Sequence, residues 1–281
     1  MALSLDEVRS RVDVLRHQAA AERRRAAPES GAGDEDRAVH LMAARIAEMT
    51  AASLADWAAS TRRGARRPRM TDAVAALIGT PSVSVPMWFG PDQWPRLSAS
   101  DSVARAACEA EILTGQGPAT QARSQGAVVA ADWSRIAARW PLYSHAAAGL
   151  GMGGAVAAPL GPPGGSLGAI CAYYADPEIT AAAVTMTRHA AAAVTRLMLH
   201  QAGAIGLLLA KEPALVAVHR AVGLIRVRAA CTTSDARLIL ASAAFAGNIS
   251  LAQAAEAVLN GDITLGHQAG DQEPGREDKP G

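Results

Sequence analysis

Residues 146–175 carry no charged side chain, and this run limits the possible folds more than any other feature. It is long enough to cross a bilayer as a helix. However, Gly149, Gly151, Gly153, Gly154, Pro159 and the segment Gly161-Pro162-Pro163-Gly164-Gly165 interrupt it. Such residues break a spanning helix, so the run reads as buried strands with no membrane span. The apolar stretches 155–160 and 167–174 flank the Gly/Pro segment, which predicts a β-hairpin.

Composition narrows the class further. The chain has 281 residues, about the length of two domains. Half of them are apolar, enough for packed cores. The formal net charge is +1, which excludes a generally basic nucleic-acid coat and leaves only local patches for polyanions. Alanine fills 66 positions, and only Lys211 and Lys279 are lysine. Alanine favours helix wherever it falls, which weakens propensity as a guide. Cys108, Cys171 and Cys231 are far apart, with no CxxC pair or Cys/His cluster. Reduced thiols are expected, and neither a disulfide framework nor a zinc site. Asp6 and Glu7 precede any apolar run, unlike a secretory signal. A cytoplasmic location is expected.

Organisation follows from periodicity. Residues 1–60 form an N-terminal helical region: Leu5, Val8, Val12 and Leu15 step by 3, 4, 3, as do Val39, Met42, Ile46 and Met49. This is the spacing of a helical seam, and either a second copy or the chain's own next domain could bury it. Residues 61–69 hold five arginines with Gly64 and Pro68. They read as a solvated linker rather than a phosphate-binding arm, because no aromatic is interleaved for base stacking. Strands are expected over 82–89, 104–113 and 127–131. Helices are expected over 71–78, 118–124 and 140–148. With the hairpin these make residues 70–178 an α+β domain, an antiparallel sheet with flanking helices. A long connecting helix spans 179–211, with a joint at Glu212-Pro213. Residues 212–262 hold three helices, at 216–230, 234–246 and 250–259. Thr232 or Thr233 caps the second, Asn248 or Ser250 caps the third, and Asn260-Gly261 ends the bundle. The tail, 263–281, is polar and reads as disordered.

Several stretches in the α+β segment occur together in a telling order. Thr114-Gly115-Gln116-Gly117-Pro118-Ala119 turns into a helix, and Gly126-Ala127-Val128-Val129-Ala130-Ala131-Asp132 forms a strand. Arg139-Trp140-Pro141-Leu142-Tyr143 opens the next helix, and 154–160 and 167–174 form the final hairpin. In that order the segment resembles a GAF domain of bacterial regulators. The resemblance implies a domain that senses a small molecule or a protein partner, with a small ligand held between sheet and helices, and Trp88, Phe89, Cys108, Trp133, Trp140, Tyr143, Cys171 and Tyr173 are the candidate liners. It names no cofactor. Further on, Ala221-Val222-Gly223-Leu224-Ile225 and Cys231-Thr232-Thr233-Ser234-Asp235-Ala236 are followed by Leu238, Leu240, Asn248 and the run 251–258. These resemble an ANTAR domain, a three-helix RNA-binding module of transcription antiterminators. The implied contacts to hairpin RNA are Arg220, Arg226, Arg228, Arg237 and Asn248. Two pairs of positions that are basic in that family read Ala241-Ser242 and Ile249-Ser250 here, which reduces the basic surface.

Enzyme chemistry finds little support. The segment Gly149-Leu150-Gly151-Met152-Gly153-Gly154 precedes a strand, whereas phosphate loops precede a helix. Glu109 and Glu111 alternate along the expected strand 104–113 and would share its solvent face, which disfavours acid–base work. No HExxH or GxSxG motif is present. The expected protein is a homodimeric, non-enzymatic transcriptional regulator with a sensory domain and an RNA-binding output acting by antitermination. The alternative is an output module that has lost RNA binding and acts through protein contact.

Overall fold

Each strand of the central hairpin alternates its side chains between two apolar clusters, so both faces of the sheet must be covered. Along β5 (Gly168–Tyr174), Ile170 and Ala172 enter one core, while Ala169, Cys171 and Tyr173 enter the other. β4 (Gly154–Leu160) pairs with β5 antiparallel along its whole length, from Gly154 against Tyr174 to Leu160 against Gly168. The expected hairpin is therefore formed. The computed structural model describes residues 4–60, 67–90, 95–162, 164–200, 213–247 and 249–262. It shows a mixed α+β protein with eleven α-helices and one five-stranded antiparallel sheet among those residues. The chain forms two compact units, residues 1–215 and 216–281.

In the first unit the sheet order is β2-β1-β5-β4-β3, where β1 is Ser82–Met87, β2 Arg96–Ala99 and β3 Val129–Asp132. One face is covered by α1 (Leu5–Arg25), α2 (Asp34–Ala59), α3 (Met70–Ile78) and α8 (Ala181–His200). A capping box starts α1: Ser4 accepts from the Glu7 amide and Glu7 from the Ser4 amide. Of the predicted seam residues, Val8, Val12, Leu15, Val39 and Ile46 are buried in this chain's own core, which continues through Met70 and Val74 to Val83, Val85 and Ile170, whereas Met42 and Met49 are half-buried and Leu5, in the first turn of α1, is exposed. Of the two burials considered for the seam, the one within the chain is observed. Glu22 and His40 join α1 to α2 inside the hairpin, Nδ1 to Oε2 at 2.5 Å, and Arg25 pairs with the same carboxylate.

The other face is covered by α4 (Ser102–Thr114), α5 (Pro118–Gln125), α6 (Trp133–Arg139) and α7 (Pro141–Ala146). Here the expected strand over 104–113 is overturned, because the segment is α4. Asp101 caps it by accepting from the Ala104 amide at 2.8 Å, and Gly115 ends it in the left-handed region at φ 67°. Ala104, Ala107, Cys108 and Glu111 are all buried, at the i, i+3, i+4, i+7 spacing of a helix face. Strand β2 and helix α6 were not anticipated. The arginine run is also more ordered at its end than a solvated linker: Arg69 donates from Nη1 to the Ala99 carbonyl at 2.9 Å, and Arg67 is partly buried. Arg62, Arg63 and Arg66 lie outside the described residues.

The second unit contains α9 (Pro213–Arg228) from Val216 onward, α10 (Thr233–Ala246) and α11 (Leu251–Asn260). The expected three helices are present, and α10 packs on α11. Thr232 caps α10 in a box with Asp235, Ser250 caps α11 in a box with Gln253, and Gly261 ends α11 at φ 86°. The expected joint at Glu212 and the tail 263–281 lie outside the described residues. No single helix among those described is long and apolar enough to cross a membrane.

Because α1 and α2 share a core with the sheet, truncating Leu15 to Ala should weaken the whole first unit. The expected loss is about 2–5 kcal/mol. Urea unfolding followed by far-UV circular dichroism and by tryptophan fluorescence should show both transitions moving together. A fluorescence transition left in place would mean that the helical hairpin unfolds independently.

Candidate functional site

The turn between α4 and α5 brings a carboxyl group into the core. Gly115 closes α4, Gly117 adopts φ 152°, and Pro118 occupies the first turn of α5, where its missing amide hydrogen costs nothing. Glu111, one turn before the end of α4, reaches across. Its Oε1 accepts the Thr120 amide, and the Ala119 amide also points to the carboxyl. These amides open α5 and have no partner within the helix. A Cβ at position 117 would stand 2.6 Å from Glu111 Cδ, so the approach requires glycine on steric grounds as well as conformational ones.

Glu111 is 2 % exposed. Burial raises its pKa from the usual 4.5 to about 7, and the Thr120 and Ala119 hydrogen bonds only partly oppose the shift. Near neutral pH the group therefore exists both as acid and as carboxylate. Its second oxygen, Oε2, is buried without a hydrogen-bond partner, and so is the hydroxyl of Tyr143 on α7. Around them Ser84 Oγ meets Tyr173 Oη at 3.0 Å, while Cys108 bonds to Ser84 and Cys171 to Tyr173. Burial pushes both thiols and both phenols up, with Glu111 adding to the shift at each. The thiols are neutral and poor nucleophiles. The result is a dry polar cluster that can exchange a proton and hydrogen-bond a small polar group. Buried orphan polar atoms are costly and few in folded proteins, and a bound molecule is one usual reason for them.

This cluster gathers most of the predicted pocket residues. Cys108, Trp140, Tyr143, Cys171 and Tyr173 share the core on this face, and Trp133 packs at its margin. Trp88 lies outside that core, half-buried, with the Arg123 guanidinium 4.7 Å from its ring centroid. Phe89 is exposed and carries Arg96 at 5.2 Å. Glu111 was missed because it was assigned to a strand's solvent face; its spacing from Ala104, Ala107 and Cys108 was the available signal. Glu109, expected beside it, instead pairs with Arg105 at 3.9 Å on α4. Two open clefts of this unit, about 540 and 570 Å³, are lined by other residues. No group of three His, Cys, Asp or Glu among the described residues is arranged to hold a metal.

In the second unit, Arg220, Arg226 and Arg228 are exposed on α9, whose opposite face buries Val218, Ala221, Val222 and Ile225. At 3.6 residues per turn, Arg228 stands about 80° from Arg220 and Arg226 about 120° to the other side. The three fan around the solvent face and do not form one stripe. Arg237 is half-buried on α10, and Asn248 lies outside the described residues. Of the positions that lack the expected basic residues, Ala241 is buried, Ser242 is exposed, and Ser250 serves as the α11 cap. Leu238, Ser242 and Phe245 follow i, i+4, i+7 along α10, and the two apolar residues are 65 % and 43 % exposed.

No protein-family model matches the chain, and no curated protein or solved structure matches it.

The raised Glu111 pKa gives stability a definite pH dependence. The folded state holds a proton that the unfolded state releases above pH 4.5. Its contribution is therefore full below that pH and is lost as pH rises to about 7. The shift corresponds to at most about 3 kcal/mol. Glu111→Gln, which keeps an acceptor for Thr120, should remove this slope and be the more stable protein at pH 8. Urea midpoints of both proteins at pH 5 and pH 8 check it, and parallel changes would refute it. Gly117→Ala should cost about 1–3 kcal/mol through the clash and the backbone strain, read as a lower urea midpoint.

Proposed function

We propose that the chain is a cytoplasmic, non-enzymatic transcriptional regulator with two working parts. Residues 70–178 act as a GAF-like sensory domain, and residues 212–262 as an ANTAR-like output that binds hairpin RNA and prevents termination. The observation that carries the reading is the division of α9, whose apolar face is buried while Arg220, Arg226 and Arg228 stand in solvent. Exposed guanidinium groups on a small helical unit supply the phosphate contacts on which RNA affinity depends. The Glu111–Tyr143 cluster supports the sensory half, since its two orphan polar atoms suit a small polar ligand. The protein works as a homodimer in this reading. The signal at the first unit acts by favouring one of two arrangements of the paired outputs, which requires unequal affinity for the two.

A second reading rests on α10. Leu238 and Phe245 are exposed on one stripe with Ser242, one of the positions expected to be basic, and the arginines of α9 diverge. Such a surface suits protein contact better than phosphate contact. In this reading the output has lost RNA binding.

Titration of the full chain with a tandem-hairpin RNA, beside a scrambled single strand, separates the two. The first reading expects saturable, hairpin-selective binding that weakens as salt is raised. Arg220→Ala/Arg226→Ala/Arg228→Ala should then lower affinity at least tenfold and reduce the salt slope by about 2, at roughly 0.7 per phosphate contact. Equal binding to hairpin and scrambled strand at low salt would defeat the RNA reading and leave the Leu238–Phe245 stripe as the output surface.

A further inference from the structure

The arginine run before α3 holds a charge that the fold leaves unpaired. Arg67 is half-buried, and its Nε is sealed from water without a hydrogen-bond acceptor. A buried donor of this kind is costly, and more so when it is charged. The groups facing it add to the cost. Burial lowers the Arg67 pKa, and the nearby charges of Arg11 on α1 and of Arg69 lower it further. No carboxylate among the described residues offsets them. Guanidinium groups from two separate segments therefore meet at one place.

Arg11 and Arg67 have hydrogen-bonding capacity to spare. Arg9 and Arg16, on either side along α1, pair with Asp6 and Asp13, whereas neither Arg11 nor Arg67 forms an ion pair among the described residues. Glu7, one turn before Arg11, is held by the Ser4 amide at 2.7 Å. Arg69 is engaged elsewhere: its Nη1 donates to the Ala99 carbonyl at 2.9 Å, and its amide donates to Asp72 at 2.8 Å. It adds charge to the cluster and no binding edge. Asp72 lines the cleft shared with Gly79, Thr80 and Asp101. Two guanidinium forks without acceptors suit a tetrahedral oxyanion, because each fork takes two oxygens through parallel charge-assisted bonds. A carboxylate has oxygens for one fork only. The diester of a nucleic-acid backbone carries a single charge, and cations that repel one another gain most from the ligand of higher charge.

We propose that Arg11 and Arg67, with Arg69 adding charge, form a binding site for a phosphate dianion, free or as a phosphomonoester. The bound ion bridges α1 to the segment that leads into α3, and so ties the N-terminal helices to the sheet domain. The site belongs to the first unit and does not involve Glu111. It stands whether or not the second unit binds RNA.

Urea unfolding of the full chain at pH 8 tests this, with sodium phosphate or methyl phosphate compared against sodium chloride of equal ionic strength. The five tryptophans all lie within residues 1–215, so their fluorescence follows the first unit. Inorganic phosphate should raise the midpoint saturably at millimolar concentration, below the range in which phosphate stabilises proteins in general. Acetate should bind about tenfold more weakly, for want of the second fork. A gain from methyl phosphate as well supports a site open to esters, and a gain from inorganic phosphate alone supports a site for the free ion. Arg67→Gln should lose the phosphate gain yet unfold no earlier than the parent in chloride, because it also removes the repulsion. An arginine with a structural role alone would lower that midpoint. The proposal is overturned if phosphate gives no saturable gain beyond chloride, or if acetate matches it. It is also overturned if folded Arg67→Gln keeps the full gain. Should that variant fail to fold, a full phosphate gain retained in Arg11→Gln overturns it instead.

Discussion

A hairpin with both faces apolar cannot exist without two covers, and much of the first unit follows from that requirement. β4 and β5 sit inside the sheet, flanked by β1 and β3, and bury almost every residue. Antiparallel sheets often leave one face to water; this one does not. Helices α4 to α7 close one side. The other needs α3 and α8, and then α1 and α2 above them, in a single continuous core. The N-terminal helices α1 and α2 thereby become structural parts of the sheet domain.

Much of this was readable in the residues, and the failures have physical causes. The hairpin was clear because a Gly/Pro turn separated two apolar runs, and α10 and α11 were clear because Thr232, Ser250 and Gly261 cap them. Helix α4 was obscured by its composition. Alanine at 104, 106, 107 and 110 marks no face, being neither large enough to announce a core nor polar enough to announce a surface. A buried glutamate at the fourth position of the face inverted the pattern further. Strand β2 is four residues long with Arg96 at its exposed start, too short for alternation to register. The site was half visible: its aromatic and thiol members were named, but its carboxyl group depended on a helix that periodicity did not reveal.

The two units differ in how they treat polar atoms. The first places a carboxyl and a phenol hydroxyl in the core with hydrogen-bonding capacity unused. Those atoms make the cluster sensitive to protons and to small polar guests, because any partner they gain relieves a standing cost. The second unit places its caps on the surface. Thr232 there holds the Asp235 carboxyl below its usual range, fixing a helix start.

The alanine-built core carries a consequence of another kind. Where the sheet meets its covers, Ala155, Ala157, Ala169, Ala107 and Ala122 stand where larger residues usually fill the interior. Most cores are vulnerable to truncation, since the cavities left behind go unfilled. These alanines leave little side chain to remove, and the risk at them lies in enlargement: each added methylene presses on neighbours that are already packed. Random mutation of alanine codons yields mostly larger residues. Inherited variation at these sites should therefore be filtered toward glycine, serine and cysteine, and the interior should drift more slowly than its bland composition suggests.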